Sequence, residues 1–312
     1  MLIFALLLQT AAHSPAVTPK SPGEIVAAAP ASDWVDIKPD DLLVMQLAPD
    51  RDGQPRRVTI QLMAPPFSQP WIANIRTLAK AHWWDGTSVN RVQDNYVVQW
   101  GDATEKKPLP AGLLSTSEKG YVSDWRLDRS LRTSVVDLST MSGLDEGPKQ
   151  TDPYVAGGHT LHWKGWQLAA GAEQAWPTHC YGMIGVGRNL SPDAGNGAEL
   201  YTVIGHAPRH LDRNIAVVGR VVEGIENLSS LPRGTGSLGF YEKPEQRVPI
   251  VSIRLASELP ETERPHLQYL STESGSFAAY ANARANRKDA FFIVPAGGAD
   301  ICNVPVPIRR KP

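Results

Sequence analysis

The sequence predicts a mostly-β protein: a closed antiparallel barrel with helical plugs. Three observations predict it. Short β-rich runs recur along the chain, each bounded by Gly, Pro, Asn or Asp. Only two or three segments carry helical periodicity. The 312 residues are 42% apolar, enough for a substantial core. Many short strands with few helices are accommodated by a closed barrel, which leaves no sheet edge unpaired.

The 31 basic and 32 acidic side chains nearly cancel, for a formal net charge of −1. That balance gives no electrostatic reason to expect nucleic acid or an anionic membrane as partner. At the start, Met1-Leu2-Ile3-Phe4-Ala5-Leu6-Leu7-Leu8 is apolar and leads into a Pro/Ala/Ser stretch to about Ser32. It is far shorter than the ~20 residues that cross a bilayer, so no membrane anchor is expected. It fits the apolar centre of a secretory signal, without the usual basic start. Residues 1–32 therefore read as signal peptide and linker. In an oxidising compartment Cys180 and Cys302 could pair; two separate buried thiols are the alternative.

From Trp34 the pattern is strand-like. Leu42–Leu47 and Arg57–Leu62 flank Pro49-Asp50-Arg51-Asp52-Gly53-Gln54-Pro55, turn residues that predict a hairpin. The spacing of Ile72, Ile75, Leu78 and Ala79 predicts a helix within 65–84, with Ser68 as N-cap and Pro70 in its first turn. Two short strands follow around Asp94-Asn95. Over 103–179 periodicity is lost, and so long an irregular stretch reads as an insertion. Its Trp163, Trp166 and Trp176 are expected to form a satellite core. Strand patterns return at Cys180–Gly187, Glu199–Ile204, Ile215–Val222 and Val248–Leu255. The barrel domain spans 33–258, and 259–312 forms an extension packed on or beside the barrel, with a helix near Ser274–Lys288 that sets Phe277, Tyr280 and Ala281 on one face.

The chain has no phosphate-binding Gly-x-x-x-x-Gly-Lys-Ser/Thr, nucleophile elbow or His-Glu-x-x-His. His159 and His162 have no third metal ligand at usual spacing. No cofactor is expected. The informative stretch is Val89-Asn90-Arg91-Val92-Gln93-Asp94-Asn95-Tyr96-Val97-Val98-Gln99-Trp100-Gly101-Asp102. Strand alternation sets Arg91 opposite its neighbours, so that an Arg, an aromatic and an amide can converge beside an apolar pocket.

This run resembles the cyclophilin signature Phe-His-Arg-(apolar)₂-x-x-Phe-x-(apolar)-Gln-Gly-Gly-Asp, with Arg91, Tyr96, Val97, Gln99, Gly101 and Asp102 matching in order and spacing. Upstream, Ala73-Asn74-Ile75-Arg76-Thr77-Leu78 and Trp84-Asp85-Gly86 resemble the family's helix and Tyr-x-Gly turn. Downstream, Gly197-Ala198-Glu199-Leu200-Tyr201-Thr202, Leu211-Asp212, Val217–Ile225 and Val248–Ile253 resemble its remaining blocks.

The resemblance implies an eight-stranded barrel capped by two helices and a peptidyl-prolyl cis-trans isomerase acting on proline-containing polypeptides. It implies Arg91 and Gln99 as catalytic residues, with Tyr96, Val97, Tyr201 and Leu211 forming the proline pocket. Glu199 stands where Gln is common, and Val186 and Gly187 on the groove strand. The family's rim tryptophan falls on Arg209 or His210, and His210 is taken as a rim contact. Trp100 replaces the first Gly of the Gly-Gly-Asp turn, and its bulk is expected to narrow the groove or turn Gln99. With the apolar start, the resemblance implies an exported bacterial protein of the periplasm. The alternative is a catalytically weak peptide-binding module or chaperone on the same fold.

Overall fold

The structure, a computed structural model, describes residues 19–124, 136–137, 152–155, 157–289 and 291–312. The apolar segment read as a secretory signal lies outside them, as does much of the insertion.

Strand β1 (Leu42–Leu47) pairs antiparallel with β2 (Arg56–Leu62), from Leu42 opposite Gln61 to Leu47 opposite Arg56. Asp50 closes the turn by accepting the backbone N–H groups of Asp52 at 2.9 Å and Gln54 at 2.8 Å. The remaining barrel strands are β3 (Ser88–Val92), β4 (Val97–Gly101), β5 (Met183–Val186), β6 (Leu200–Val203), β7 (Val217–Glu223) and β8 (Val248–Leu255). Their order around the barrel is β5-β6-β4-β3-β8-β1-β2-β7, and β7 returns to β5. Every pairing is antiparallel, so no strand edge is left open. The predicted closed barrel is thus formed.

A short helix, α1 (Pro22–Ala27), lies in the segment read as linker and is held by a capping box between Ser21 and Glu24. Helix α2 (Gln69–Lys80) follows β2 and buries Trp71, Ile72, Ile75, Leu78 and Ala79 in the core that also holds Met45 and Ile60. Ser68 occupies its N-cap position but does not cap it. Its backbone is left-handed (φ 54°), and its hydroxyl donates instead to the Val217 carbonyl at 2.7 Å. Helix α3 (Glu226–Ser229) is one turn long. Helix α4 (Gly275–Asn286) has Ser274 as a working N-cap, accepting from Phe277 N–H at 3.1 Å, and buries Phe277, Tyr280 and Ala281.

The insertion departs from the irregular reading. Its described residues form a five-stranded sheet ordered Ser123–Asp124, Gln174–Pro177, Trp166–Ala170, His159–Trp163, Val136–Asp137. Trp166–Ala170 is buried at every position, so it shows no polar alternation for sequence reading to detect. Trp163 and Trp166 join the main core rather than a satellite, and only Trp176 sits in a separate cluster. Trp34–Asp36, Leu267–Leu270 and Ile308–Arg310 form a further three-stranded sheet with Leu267–Leu270 at its centre.

Two links bind these extensions to the barrel. Cys180, just before β5, is disulfide-bonded to Cys302, which settles the open pairing in favour of a bridge. Arg220 of β7 is a buried cation that reaches the insertion. It donates to Gln61 Oε1 at 3.0 and 2.7 Å and to the Gly165 carbonyl at 2.7 Å, and lies 4.6 Å from the Trp166 ring. Burial lowers its pKa to about 10, so it stays charged. Among the described residues no cluster of three or more His, Cys, Asp or Glu could hold a metal ion.

The disulfide closes a loop of 122 residues, and constraining so long a loop in the unfolded chain stabilises the fold. Replacing Cys302 by Ser should lower the unfolding free energy by about 2–4 kcal/mol, read by chemical denaturation without reductant. Reductant should reproduce that loss in the parent protein and leave the variant unchanged.

Candidate active site

The site grows from an irregularity in β3. Its pairing with β4 shifts between Val89 and Arg91: Val89 faces Trp100, Arg91 faces Gln99, and Asn90 is the extra residue. Such a bulge interrupts strict alternation. Val89 and Val92 enter the core, while Asn90 and Arg91 both reach clefts on the outer side. Alternation alone had set Arg91 opposite its neighbours; the bulge puts Asn90 on its side as well. In β4, alternation holds. Val98 and Trp100 point into the core, and Val97 and Gln99 point out.

Arg91, Tyr96, Val97, Gln99, Gly187, Arg188, Tyr201, Leu211 and Ile215 enclose a cleft of about 110 Å³. Tyr96, Val97, Tyr201, Leu211 and Ile215 make its apolar wall. The guanidinium is fixed from three directions: Nη1 donates to Gln99 Oε1 at 3.1 Å, Nη2 to Gln93 Oε1, and Nε to the Leu238 carbonyl at 2.7 Å. It lies 5.6 Å from the Tyr96 ring and 5.5 Å from that of Phe240, within cation–π range. Burial lowers the Arg91 pKa, opposed by Tyr96 and Tyr201, and the guanidinium remains protonated at physiological pH.

Beside this cleft lies a larger one of about 530 Å³, whose lining includes Asn90, Gln99, Asp102, Glu199 and Arg247. Gln99, Gly187 and Arg188 border both. Burial raises the Glu199 pKa to about 7 against the opposing Asp102 N–H and the Gln99 and Asn90 side chains. Gly101 is required here: a Cβ would stand 1.8 Å from Glu199 Oε1, and its φ is +155°.

Seven of the residues singled out in the sequence therefore meet at one cleft: Arg91, Gln99, Tyr96, Val97, Tyr201, Leu211 and Gly187. Glu199 lines its neighbour instead. His210 is exposed at the rim, its ring stacked on Tyr96 with centroids 6.4 Å apart. Of the two positions proposed for the rim aromatic, Arg209 is buried away from the cleft by Asp212 and Asp152. Val186 does not line the cleft; it alternates with Gly185 and is fully buried in the core. Trp100 is also fully buried and touches neither cleft, so it does not narrow the groove as its bulk had suggested.

Sequence reasoning missed Gln93, Arg188, Ile215, Leu238 and Phe240. Gln93 was within reach, lying two residues beyond Arg91. Leu238 was not: it is 147 positions away, and its carbonyl reaches the guanidinium because the segment around Phe240 pairs with β3.

Comparison with known proteins fits this geometry. The family described as "Cyclophilin type peptidyl-prolyl cis-trans isomerase/CLD" matches residues 57–255. The chain belongs to this family of peptidyl-prolyl cis-trans isomerases. The crystal structure of cyclophilin AquaCyp293 from Hirschia baltica is similar at TM-score 0.65 and 22% identity, covering 88% of this chain and 92% of that one. A cyclophilin type peptidyl-prolyl cis-trans isomerase from Cryptosporidium parvum aligns at TM-score 0.38 and 12% identity, covering 69% of this chain and 97% of that one. No curated protein matches the chain.

The Glu199 carboxyl gives the site a pH dependence with a definite sign. Above about 7 it is ionised and accepts from the Gln99 amide, which leaves Gln99 Oε1 turned toward Arg91. As pH falls through about 7 it is protonated and that hold weakens. Activity per enzyme should fall about two- to fivefold from pH 8 to pH 6, the scale of one charge-assisted hydrogen bond partly lost. Glu199→Gln should flatten the profile, as read by initial rates on one peptide across buffers.

Proposed function

We propose that this isomerase acts on X-Pro bonds of exported polypeptides by holding the prolyl ring in the small cleft while Arg91 stabilises the twisted amide. The barrier it lowers comes from amide resonance, about 18–20 kcal/mol. Turning the bond out of plane breaks that resonance and returns a lone pair to the prolyl nitrogen. No covalent bond to the enzyme is needed. A donor aimed at that nitrogen stabilises the twisted form more than either planar isomer, and this lowers the barrier.

The single observation that carries the mechanism is the pinned Arg91 guanidinium at the edge of an apolar cleft. Gln99, Gln93 and Leu238 fix its orientation. A donor already oriented needs little reorganisation when the amide twists. The cleft walls Tyr96, Val97, Tyr201, Leu211 and Ile215 match the apolar prolyl ring. Gln99 and the half-buried Gly187 border both clefts, where the peptide can be bound on either side, and His210 extends the rim. The buried position of Trp100 removes one reason to prefer a non-catalytic binding module.

Export to the periplasm rests on two separate features. One is the apolar run Met1–Leu8. The other is the Cys180–Cys302 disulfide, a bond that persists in oxidising compartments and is rare in the cytosol. The substrates are then unfolded or partly folded exported chains whose X-Pro bonds are still accessible.

Arg91→Ala should lower kcat/KM on an Ala-Ala-Pro-Phe peptide on the order of 100-fold, the cost of removing one donor to a developing charge. Arg91→Lys should not restore it, because a single ammonium cannot meet Gln99, Gln93 and Leu238 together. A folded parent protein giving no rate above the uncatalysed background would refute the proposal.

A further inference from the structure

Tyr201 presents its ring to the small cleft, yet its hydroxyl faces the other way. It meets Nε2 of His179 at 3.0 Å. His179 is fully buried, and its Nδ1 lies 2.9 Å from Asp212 Oδ1. The same carboxylate oxygen also accepts the His179 backbone N–H at 2.9 Å. Its other oxygen accepts from Arg209 Nε at 2.5 Å, and Arg209 Nη1 continues to Asp152 at 2.9 Å. All five side chains are buried.

The acceptor-only carboxylate takes the Nδ1–H of His179. In the neutral imidazole, Nε2 is then the acceptor for the Tyr201 O–H. The backbone is shaped to the same end. A Cβ on Gly185 would stand 2.3 Å from the Tyr201 oxygen and 2.2 Å from its Cζ, so β5 has a glycine where the phenol passes. Phenylalanine would need neither the glycine's clearance at the oxygen nor the histidine. A nucleophilic Asp-His-Tyr triad is not what this is, because the hydroxyl points away from the cleft and is shut in by His179.

The partners come from the insertion and from the loop that walls the cleft. Asp152 and His179 belong to the chain between β4 and β5. Arg209 and Asp212 flank His210 and Leu211. The insertion grips that loop at two further points: Arg209 lies 5.2 Å from the Tyr154 ring and Arg213 4.7 Å from that of Trp176.

We propose that His179, held by Asp212, is a positioning residue for proline recognition, fixing the Tyr201 ring that walls the small cleft. It touches no substrate; it acts through Tyr201. This rests on the prolyl ring binding in that cleft. The ring contacts proline in the planar and twisted states alike, so its misplacement weakens binding of both. KM then rises while kcat is nearly spared.

The test is a double-mutant cycle on the full chain with Tyr201→Phe, His179→Leu and the pair, following Ala-Ala-Pro-Phe isomerisation by NMR exchange over a range of peptide concentrations. Each single variant should raise KM about fivefold, the effect of one buried hydrogen bond, with kcat within about twofold. The pair should be no worse than the poorer single, because both remove the same interaction. His179→Gln, whose amide oxygen can accept from Tyr201, should recover much of what Leu loses. Additive losses, losses in kcat alone, or failure of Gln to recover any of the loss would overturn the inference. Tyr201→Phe removes one oxygen and buries no new charge, so it carries the test if His179→Leu does not fold; unchanged KM there is also decisive. An inactive parent protein would instead overturn the reading of the cleft itself.

Discussion

The cleft depends on one cross-strand pair, Arg91 on β3 against Gln99 on β4. The bulge at Asn90 turns Arg91 to the outer side without removing Val89 and Val92 from the core. Gln99 is then the hub between two clefts. Its oxygen accepts from Arg91, and its amide faces Glu199. An amide is suited to this place because it presents acceptor and donor from one planar group. The tight approach of Glu199 to β4 in turn leaves no room for a side chain at Gly101.

Around that pair the molecule uses buried polar groups as fasteners, each with partners supplied from distant segments. Arg220 joins the barrel to the insertion through Gln61, Gly165 and the face of Trp166. Asp212 joins His179 and Arg209 behind the cleft. A buried ion left without partners is costly, so such groups define which arrangement of the segments is allowed. The Cys180–Cys302 bridge adds a covalent tie between the start of β5 and the tail. The extensions are therefore continuous with the scaffold that holds the cleft wall.

Much of the barrel was legible because its strands are short and punctuated. Val248–Leu255 was read with the bounds it has, and the β1–β2 turn announced itself through Asp50, Gly53 and Pro55. Arg91, Tyr96, Val97 and Gln99 were found because they lie within nine residues of one another, around a single turn. The insertion sheet was not legible. Strands such as Trp166–Ala170 are covered on both faces, so the period-two signal is absent.

The sequence by itself determined the family, the closed barrel and the local set Arg91–Gln99, since strand length, turn chemistry and residue order are local properties. Only the tertiary structure decided what those residues face. The bulge at Asn90, the burial of Trp100 and Val186, the Leu238 carbonyl on Arg91 and the His179–Tyr201 contact all follow from chain segments meeting across long separations. Such meetings are set by the shared core and by the need to satisfy buried polar groups, neither of which is written in any one stretch of sequence.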